Sequence, residues 1–293
     1  MKRIVVSSEF FNVKDTLECG QIFRFAPFSD GYKVYSGDKC AYLYNTGDTA
    51  VIECKETDGE YFSRFFDLER DYSAIEKFAE SQSEEVIRRA ASLGKGIRIL
   101  KQDETETLFS FIVSQNNNIA RITGIIERLC AALGEKKEFS GEEYHAFPSV
   151  SALANESLEF YKGMGLGYRA PYIKRLAEDI ENGLSLSDFN ALPTPDLKKR
   201  LVSLYGVGPK VADCAIFFGF GRSDAFPVDT WIEKVYREDF SGEIKERNRI
   251  AEYFVERFGE NSGYIQQYLF YYKRTLEKSE KNKKSLRSEI ISD

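Results

Sequence analysis

Residues 31–54, GYKVYSGDKCAYLYNTGDTAVIEC, alternate apolar and polar positions, with Val34, Tyr42, Tyr44 and Val51 in the apolar set. Alternation with period two predicts short strands that bury one face. SGDK and NTGD lie between the runs as turn signals, so the segment predicts an antiparallel meander. From about residue 58 the period changes. Apolar residues recur at helical spacing in 58–69, 83–93, 103–115, 119–133, 169–182, 195–204, 209–219, 229–239, 246–258 and 263–278. Gly, Pro and Asn punctuate these segments, as in FPSV at 147–150 and NALPTP at 190–195. The pattern predicts an α+β chain: an N-terminal antiparallel β domain with flanking helices over 1–95, then a helical core over 96–278. The basic tail, 279–293, is predicted to fray.

Composition narrows the chemistry. With 293 residues, 42% of them hydrophobic, the chain can bury a core without cross-links, and it is not compositionally disordered. Its five cysteines are scattered without a CxxC pair, which supports neither a zinc site nor an iron–sulfur cluster. His145 is the single histidine, so a Ser–His–Asp triad or a histidine-rich metal centre would rest on it alone. No metal and no organic cofactor is expected. MKRIVVSSEFF lacks a signal-peptide apolar region, and no apolar run approaches the roughly 18 residues of a membrane span. Free thiols and no export signal predict a cytoplasmic protein with no membrane partner; the expected setting is prokaryotic, with action at the nucleoid.

The most informative stretch is 197–235, LKKRLVSLYGVGPKVADCAIFFGFGRSDAFPVDTWIEKV. An amphipathic helix leads into Tyr205-Gly206-Val207-Gly208-Pro209-Lys210, and a second helix begins there. Gly206 and Gly208 permit a tight turn with close backbone approach, and Pro209 suits a first helical turn. Helix, GxG turn, helix is the pattern of a helix–hairpin–helix, whose amides and following helix N-terminus would face a phosphate. A glycine-capped turn between two core helices is the plainer alternative. Nineteen residues after Lys210 stands Asp229, within FPVDTW and ahead of an apolar-periodic segment. Its ordinary role there is a helix N-cap.

LYGVGPKVADC followed by FPVDTW resembles the helix–hairpin–helix, Gly/Pro-rich loop and aspartate of the DNA glycosylase superfamily. Within it the chain is similar to the 8-oxoguanine DNA glycosylases. CGQIFRF (19–25), LFSFIVSQNNNIARI (108–122) and GLGYRAPYI (165–173) match that family's other blocks in order. The resemblance runs from near residue 4 to about 272 and implies a two-lobed helical glycosylase core, with the hairpin unit at about 196–219. The four-cysteine cluster usual in the endonuclease III branch is absent from this sequence.

The resemblance implies a reaction. A lysine amine is protonated at neutral pH in water, and desolvation beside a helix N-terminus favours its neutral, nucleophilic form. Lys210 would attack C1′ of a flipped nucleotide, displace the base and form a Schiff base, after which β-elimination breaks the strand. Asp229 would stabilise the oxocarbenium-like charge. Asp213, three residues after Lys210, is expected to fix local structure instead. The base pocket would comprise Gly20, Cys214, Pro227, Gln266 and Phe270. Gln266 reads the base edge, Phe270 stacks on one face and Cys214 lies against the other. The Gly20 carbonyl accepts the N7–H that distinguishes 8-oxoguanine from guanine. On their spacing alone, Tyr264, Tyr268 and Tyr271 read as core.

The resemblance further implies a DNA-binding set of Asn116, Arg121, Tyr168, Arg169, Gly206, Gly208, Val211 and Trp231. Asn116 fills the gap left by flipping, Arg121 and Arg169 read the estranged cytosine, and Tyr168 wedges. Asn118 reads as the N-cap before Ile119. Trp231 departs from the histidine of animal members and leaves at best an indole N–H for a phosphate. The implied partner is double-stranded DNA containing 8-oxoguanine, bound by a monomer. A glycosylase for another damaged base and a non-catalytic DNA-binding module are the alternatives.

The net charge of −6 argues at first against a DNA partner. It is unevenly spread. Residues 53–85 hold eleven acids and four bases, whereas 195–237 hold seven bases and five acids. The acidic stretch is predicted to face away from DNA, with hairpin amides supplementing a locally positive surface.

Overall fold

The computed structural model describes residues 1–291. Among them, five strands form one antiparallel sheet in the order β1-β5-β4-β3-β2. These are β1 (Lys2–Ser7), β2 (Phe25–Phe28), β3 (Gly31–Ser36), β4 (Lys39–Thr46) and β5 (Thr49–Cys54). The meander read over 31–54 is β3-β4-β5, with Val34 paired to Ala41 and Leu43 to Ile52. The two outer strands are not signalled by that alternation. β1 pairs with β5, about fifty residues away, and β2 carries Pro27, which an edge strand tolerates. One face of the sheet buries Val34, Leu43 and Ile52 against Phe11, Leu17, Phe62, Phe65 and Phe66. Those aromatics come from the flanks of α1 (Val13–Glu18) and from α2 (Gly59–Phe65) and its end.

Next come α3 (Tyr72–Glu80) and α4 (Glu85–Leu93), then the core helices α5 (Glu104–Val113) and α6 (Ile119–Leu133). A hairpin of β6 (Lys136–Phe139) and β7 (Glu142–His145) follows. Its strands are charge-rich and largely exposed, so no apolar alternation marks them. The hairpin packs Phe139 and Tyr144 on Cys40, tying the helical part to the sheet. A buried pair, Arg24 and Glu106 at 3.3 Å, makes a second tie, and Arg24 also donates to the His145 carbonyl at 2.6 Å. His145 serves this junction and lies off the cleft described below.

The remaining helices are α7 (Val150–Ala154), α8 (Leu158–Gly163), α9 (Ala170–Glu181), α10 (Thr194–Val202), α11 (Pro209–Cys214), α12 (Thr230–Asp239), α13 (Arg247–Phe258) and α14 (Ser262–Ile291). A continuous apolar core joins α3, α4 and α14 to α5, α6 and α9–α13. α11 is interrupted after Cys214 by one π-helical turn, 215–219. Such turns break α-helical register and recur at functional sites. α14 continues past position 278 to Ile291. Of the basic tail, the side chains from 280 on and the last two residues lie outside the described residues. No described helix is long and apolar enough to cross a membrane.

Candidate active site

α10, the turn at 203–208 and α11 form the helix–hairpin–helix. Gly206 has φ +85° and its Cα faces the Tyr172 ring, where an added Cβ would sit 2.3 Å from ring carbon. Only glycine fits that approach. Gly208 is the N-cap position and Pro209 the first residue of α11, so the amides of the first turn have no partners within the helix. Val211 is buried in the first turn of α11 and lines the cleft described below. Tyr205 stands 57% exposed beside the turn, its ring edge-on to Tyr172.

Lys210 and Asp229 open onto one cleft of about 990 Å³. Gly20, Asn116, Trp231, Phe270 and Arg274 also line it. The Lys210 ammonium lies 5.0 Å from the Phe111 ring centroid and against the Cys214 thiol. Burial pushes that thiol up to about 11, so Cys214 is an inert packing group at neutral pH. Asp229 caps α12, accepting from the Trp231 and Ile232 amides, both at 3.0 Å. Burial raises the Asp229 carboxyl above its ordinary range, while those amides and Lys210 pull the other way. Asp213 faces α10, where it pairs with Lys198 at 2.9 Å, and does not line the cleft. Burial lifts its carboxyl to about 6.

The base-pocket set converges from four segments of the chain. Gly20 has φ +98°, and an added Cβ would lie 3.0 Å from Arg274 Nη1 and 3.2 Å from Phe270 Cε1. Gln21, fully buried, bonds the Thr16 and Arg98 carbonyls and the Leu100 amide, and Gln267 of α14 donates to the Cys19 carbonyl at 3.3 Å. The CGQ segment is thus clamped by buried amides. Gln266 donates to the Pro227 carbonyl at 3.1 Å, and its Oε1 is buried with no partner among the described residues. Cys214 and Gln266 lie behind the cleft wall, while Gly20 and Phe270 lie on it. Tyr264 and Tyr268 are core, and Tyr271 bonds Asp15 at 2.8 Å.

At the far rim Asn116 adopts φ +45°, an uncommon conformation for which asparagine is enriched. Its amide donates to the Tyr168 hydroxyl at 3.2 Å. Asn118 caps α6 as its position predicts, through the Arg121 amide at 3.0 Å. The Arg121 side chain is exposed and reaches the Gly165 carbonyl at 3.2 Å. Arg169 is only 3% exposed. It donates to the carbonyls of Gln115, Asn116 and Leu166 and stacks on Tyr168 at 4.4 Å, so it braces the asparagine loop. Gln115 links that loop to the hairpin through the Gly206 carbonyl at 2.9 Å. Trp231 is half-buried on the cleft wall. No acid from the 53–85 stretch lines the cleft. Gln115, Phe111, Tyr205 and Arg274 are site residues that motif reading misses. Only Arg274 carries a signal, its spacing of four from Phe270.

Comparison with known proteins gives the family of this fold. Residues 3–108 match the 8-oxoguanine DNA glycosylase N-terminal domain, and residues 109–260 match the HhH-GPD superfamily of base excision DNA repair proteins. A probable N-glycosylase/DNA lyase of Methanothermobacter thermautotrophicus is 30% identical over 73% of this chain and 74% of its own. The N-glycosylase/DNA lyase OGG1 of Arabidopsis thaliana is 31% identical over 87% and 75%. Among solved structures, Clostridium acetobutylicum 8-oxoguanine glycosylase/lyase bound to double-stranded DNA with cytosine opposite 8-oxoG superposes with a TM-score of 0.87. It is 35% identical, covering 92% of this chain and 93% of that one. The chain belongs to the HhH-GPD superfamily of base excision DNA repair proteins and carries the N-terminal domain of the 8-oxoguanine DNA glycosylases.

Proposed function

We propose that this protein excises 8-oxoguanine opposite cytosine from duplex DNA and then cleaves the strand at the resulting abasic site, acting as a monomer. The carrying observation is that Lys210 and Asp229, nineteen residues apart, open onto one cleft beside an unpaired helix N-terminus. Both groups come from one chain, which supports action by a single copy. The hairpin amides hold a backbone phosphate. The flipped base enters between Phe270 and Cys214, with its N7–H toward the Gly20 carbonyl and its Watson–Crick edge toward Gln266.

The Lys210 nitrogen attacks C1′ through its lone pair, and the C1′–N9 bond breaks with its electron pair leaving on the base, which takes up the proton that the attacking nitrogen sheds. Asp229, ionised and held by two amides, balances the positive charge that develops on the sugar. The aminal opens to a protonated Schiff base. That iminium acidifies the C2′ proton, and its removal expels the 3′ phosphate. Water then hydrolyses the imine and frees Lys210. Asn116 and Tyr168 fill the duplex gap; Arg169, buried beneath them, braces their loop instead of reading the cytosine, and the exposed Arg121 reads the orphaned cytosine.

The test is strand scission on a panel of duplexes carrying 8-oxoguanine opposite each base, an alkylated purine or an oxidised pyrimidine. Cleavage at 8-oxoguanine opposite cytosine is expected to dominate. Preference for another lesion would assign the same machinery to a different substrate, and binding without cleavage would make the chain a DNA-binding module.

A further inference from the structure

Gln266, Phe270 and Arg274 are spaced by four along α14 and so share one helix face. They run from depth to mouth: Gln266 is 5% exposed, while Phe270 and Arg274 are half-buried and line the cleft. A Cβ added at Gly20 would meet Arg274 Nη1 at 3.0 Å, and that nitrogen donates to the Glu18 carbonyl, also at 3.0 Å. No carboxylate among the described residues pairs with it. The nearby Glu18 carboxylate accepts from Tyr32 at 2.6 Å, and Glu277 is held by Lys234 at 3.0 Å. A guanidinium has five N–H donors, so most of this one's capacity is unused at the mouth of the cleft.

The chemistry of the proposed substrate supplies an acceptor. Guanine presents a bare N7 and a C8–H on this side, whereas 8-oxoguanine presents N7–H and C8=O side by side. A carbonyl beside a cationic donor is the complement of that pair. The direction of entry agrees. A base that puts its Watson–Crick edge toward deep Gln266 leaves the glycosidic bond at the mouth, where Lys210 waits. C8 adjoins that bond, so C8=O falls at the level of Arg274.

We propose that Arg274 is a specificity-determining residue that donates a hydrogen bond to the C8 carbonyl oxygen of the flipped base, beside the N7–H accepted by Gly20. The inference rests on the 8-oxoguanine reading above. In the free protein the guanidinium closes over Gly20, tethered to the Glu18 carbonyl, and it exchanges that acceptor for O8 when the base enters.

The experiment compares wild type, Arg274→Met and Arg274→Lys under single-turnover conditions. The substrates are 8-oxoguanine, 8-thioguanine (which keeps N7–H but offers a weaker acceptor at C8) and a preformed abasic site. Arg274→Met keeps the apolar stem, and a thermal melt verifies that it folds. It is expected to lose about 10- to 100-fold on 8-oxoguanine, the size of a charge-assisted hydrogen bond, with abasic-site cleavage unchanged. The wild-type preference for 8-oxoguanine over 8-thioguanine should shrink toward one, and Arg274→Lys should recover part of it. Equal loss on both bases would mean that Arg274 only pins the Gly20 loop. Equal loss on abasic DNA would mean a phosphate contact, and no loss would mean a bystander. Each of these overturns the proposal. Failure of the wild type itself on 8-oxoguanine would instead refute the reading on which it rests.

Discussion

Gln266 donates through Nε2 to the carbonyl of Pro227, two residues before Asp229, and leaves its own Oε1 buried without a partner among the described residues. The bond ties α14 to the loop that delivers Asp229. The unpaired oxygen is an acceptor held ready at the back of the proposed base pocket. A buried polar atom left unsatisfied costs about 1–3 kcal/mol, while a hydrogen bond contributes about 1. Gln266→Met removes both, so its effects on stability oppose. Stability is expected to move by about 1 kcal/mol or less in denaturant titration, while 8-oxoguanine excision falls at least about 10-fold. A strongly destabilised variant with unchanged excision would make Gln266 a purely structural residue.

Asp229 must be ionised to balance charge on the sugar, and its carboxyl is raised above the ordinary range by burial. A carboxylate needed as the anion loses its function as pH falls through its folded-state pKa. The single-turnover rate should therefore fall on acidification at a pH above the ordinary carboxylate range. Asp229→Asn can accept the same two amide hydrogens and keep the cap. It should fold, lose about 100-fold or more in rate and lose the acid limb. Persistence of the limb in the variant would assign it to another group.

Asp213 makes the opposite kind of statement. Its folded-state carboxyl sits at about 6 because burial outweighs the pairing with Lys198, whereas an unfolded aspartate titrates near its ordinary value. Between those values the native state holds the extra proton, so this residue's contribution favours folding at low pH and is lost as pH rises through about 6. Wild type should therefore lose stability relative to Asp213→Asn between about pH 4 and pH 6, read as a difference in thermal midpoints. A difference that grows in wild type's favour would contradict the assignment.

Arg121 is exposed at the rim and tethered by one bond to the Gly165 carbonyl, which leaves donors free for a base edge. Arg121→Ala should reduce the preference for cytosine over adenine opposite the lesion by about 10-fold or more, the discrimination of one well-formed base contact. Excision rates measured with each opposite base decide it, and an unchanged ratio removes Arg121 from that role.

Legibility from sequence followed the range of the forces involved. α6 begins and ends where its apolar period does, and Asn118 caps it through a contact three residues away. The GVGPK turn is equally local. β1 is not legible in this way, because it exists by pairing with a strand about fifty residues later, and its own burial does not mark it. The β6–β7 hairpin is masked by its charged, exposed strands. Within the site, a sequence states which residues are present but not which are already engaged. Arg169 is expected from the resemblance to read the estranged cytosine and is found buried against three carbonyls. Gln21 stands in the CGQIFRF block with no role assigned to it and is found clamping the Gly20 segment. Arg274 follows Phe270 by one turn, but only the fold places its guanidinium over Gly20.

The central claim is that Lys210 forms the covalent bond to DNA. Borohydride reduction during reaction with a duplex carrying 8-oxoguanine opposite cytosine measures this directly, because it converts the imine to a stable protein–DNA adduct. Wild type should yield the adduct, with the modified peptide mapping to Lys210, and Lys210→Gln should yield none while still binding the duplex. An adduct of undiminished yield in Lys210→Gln would contradict the account.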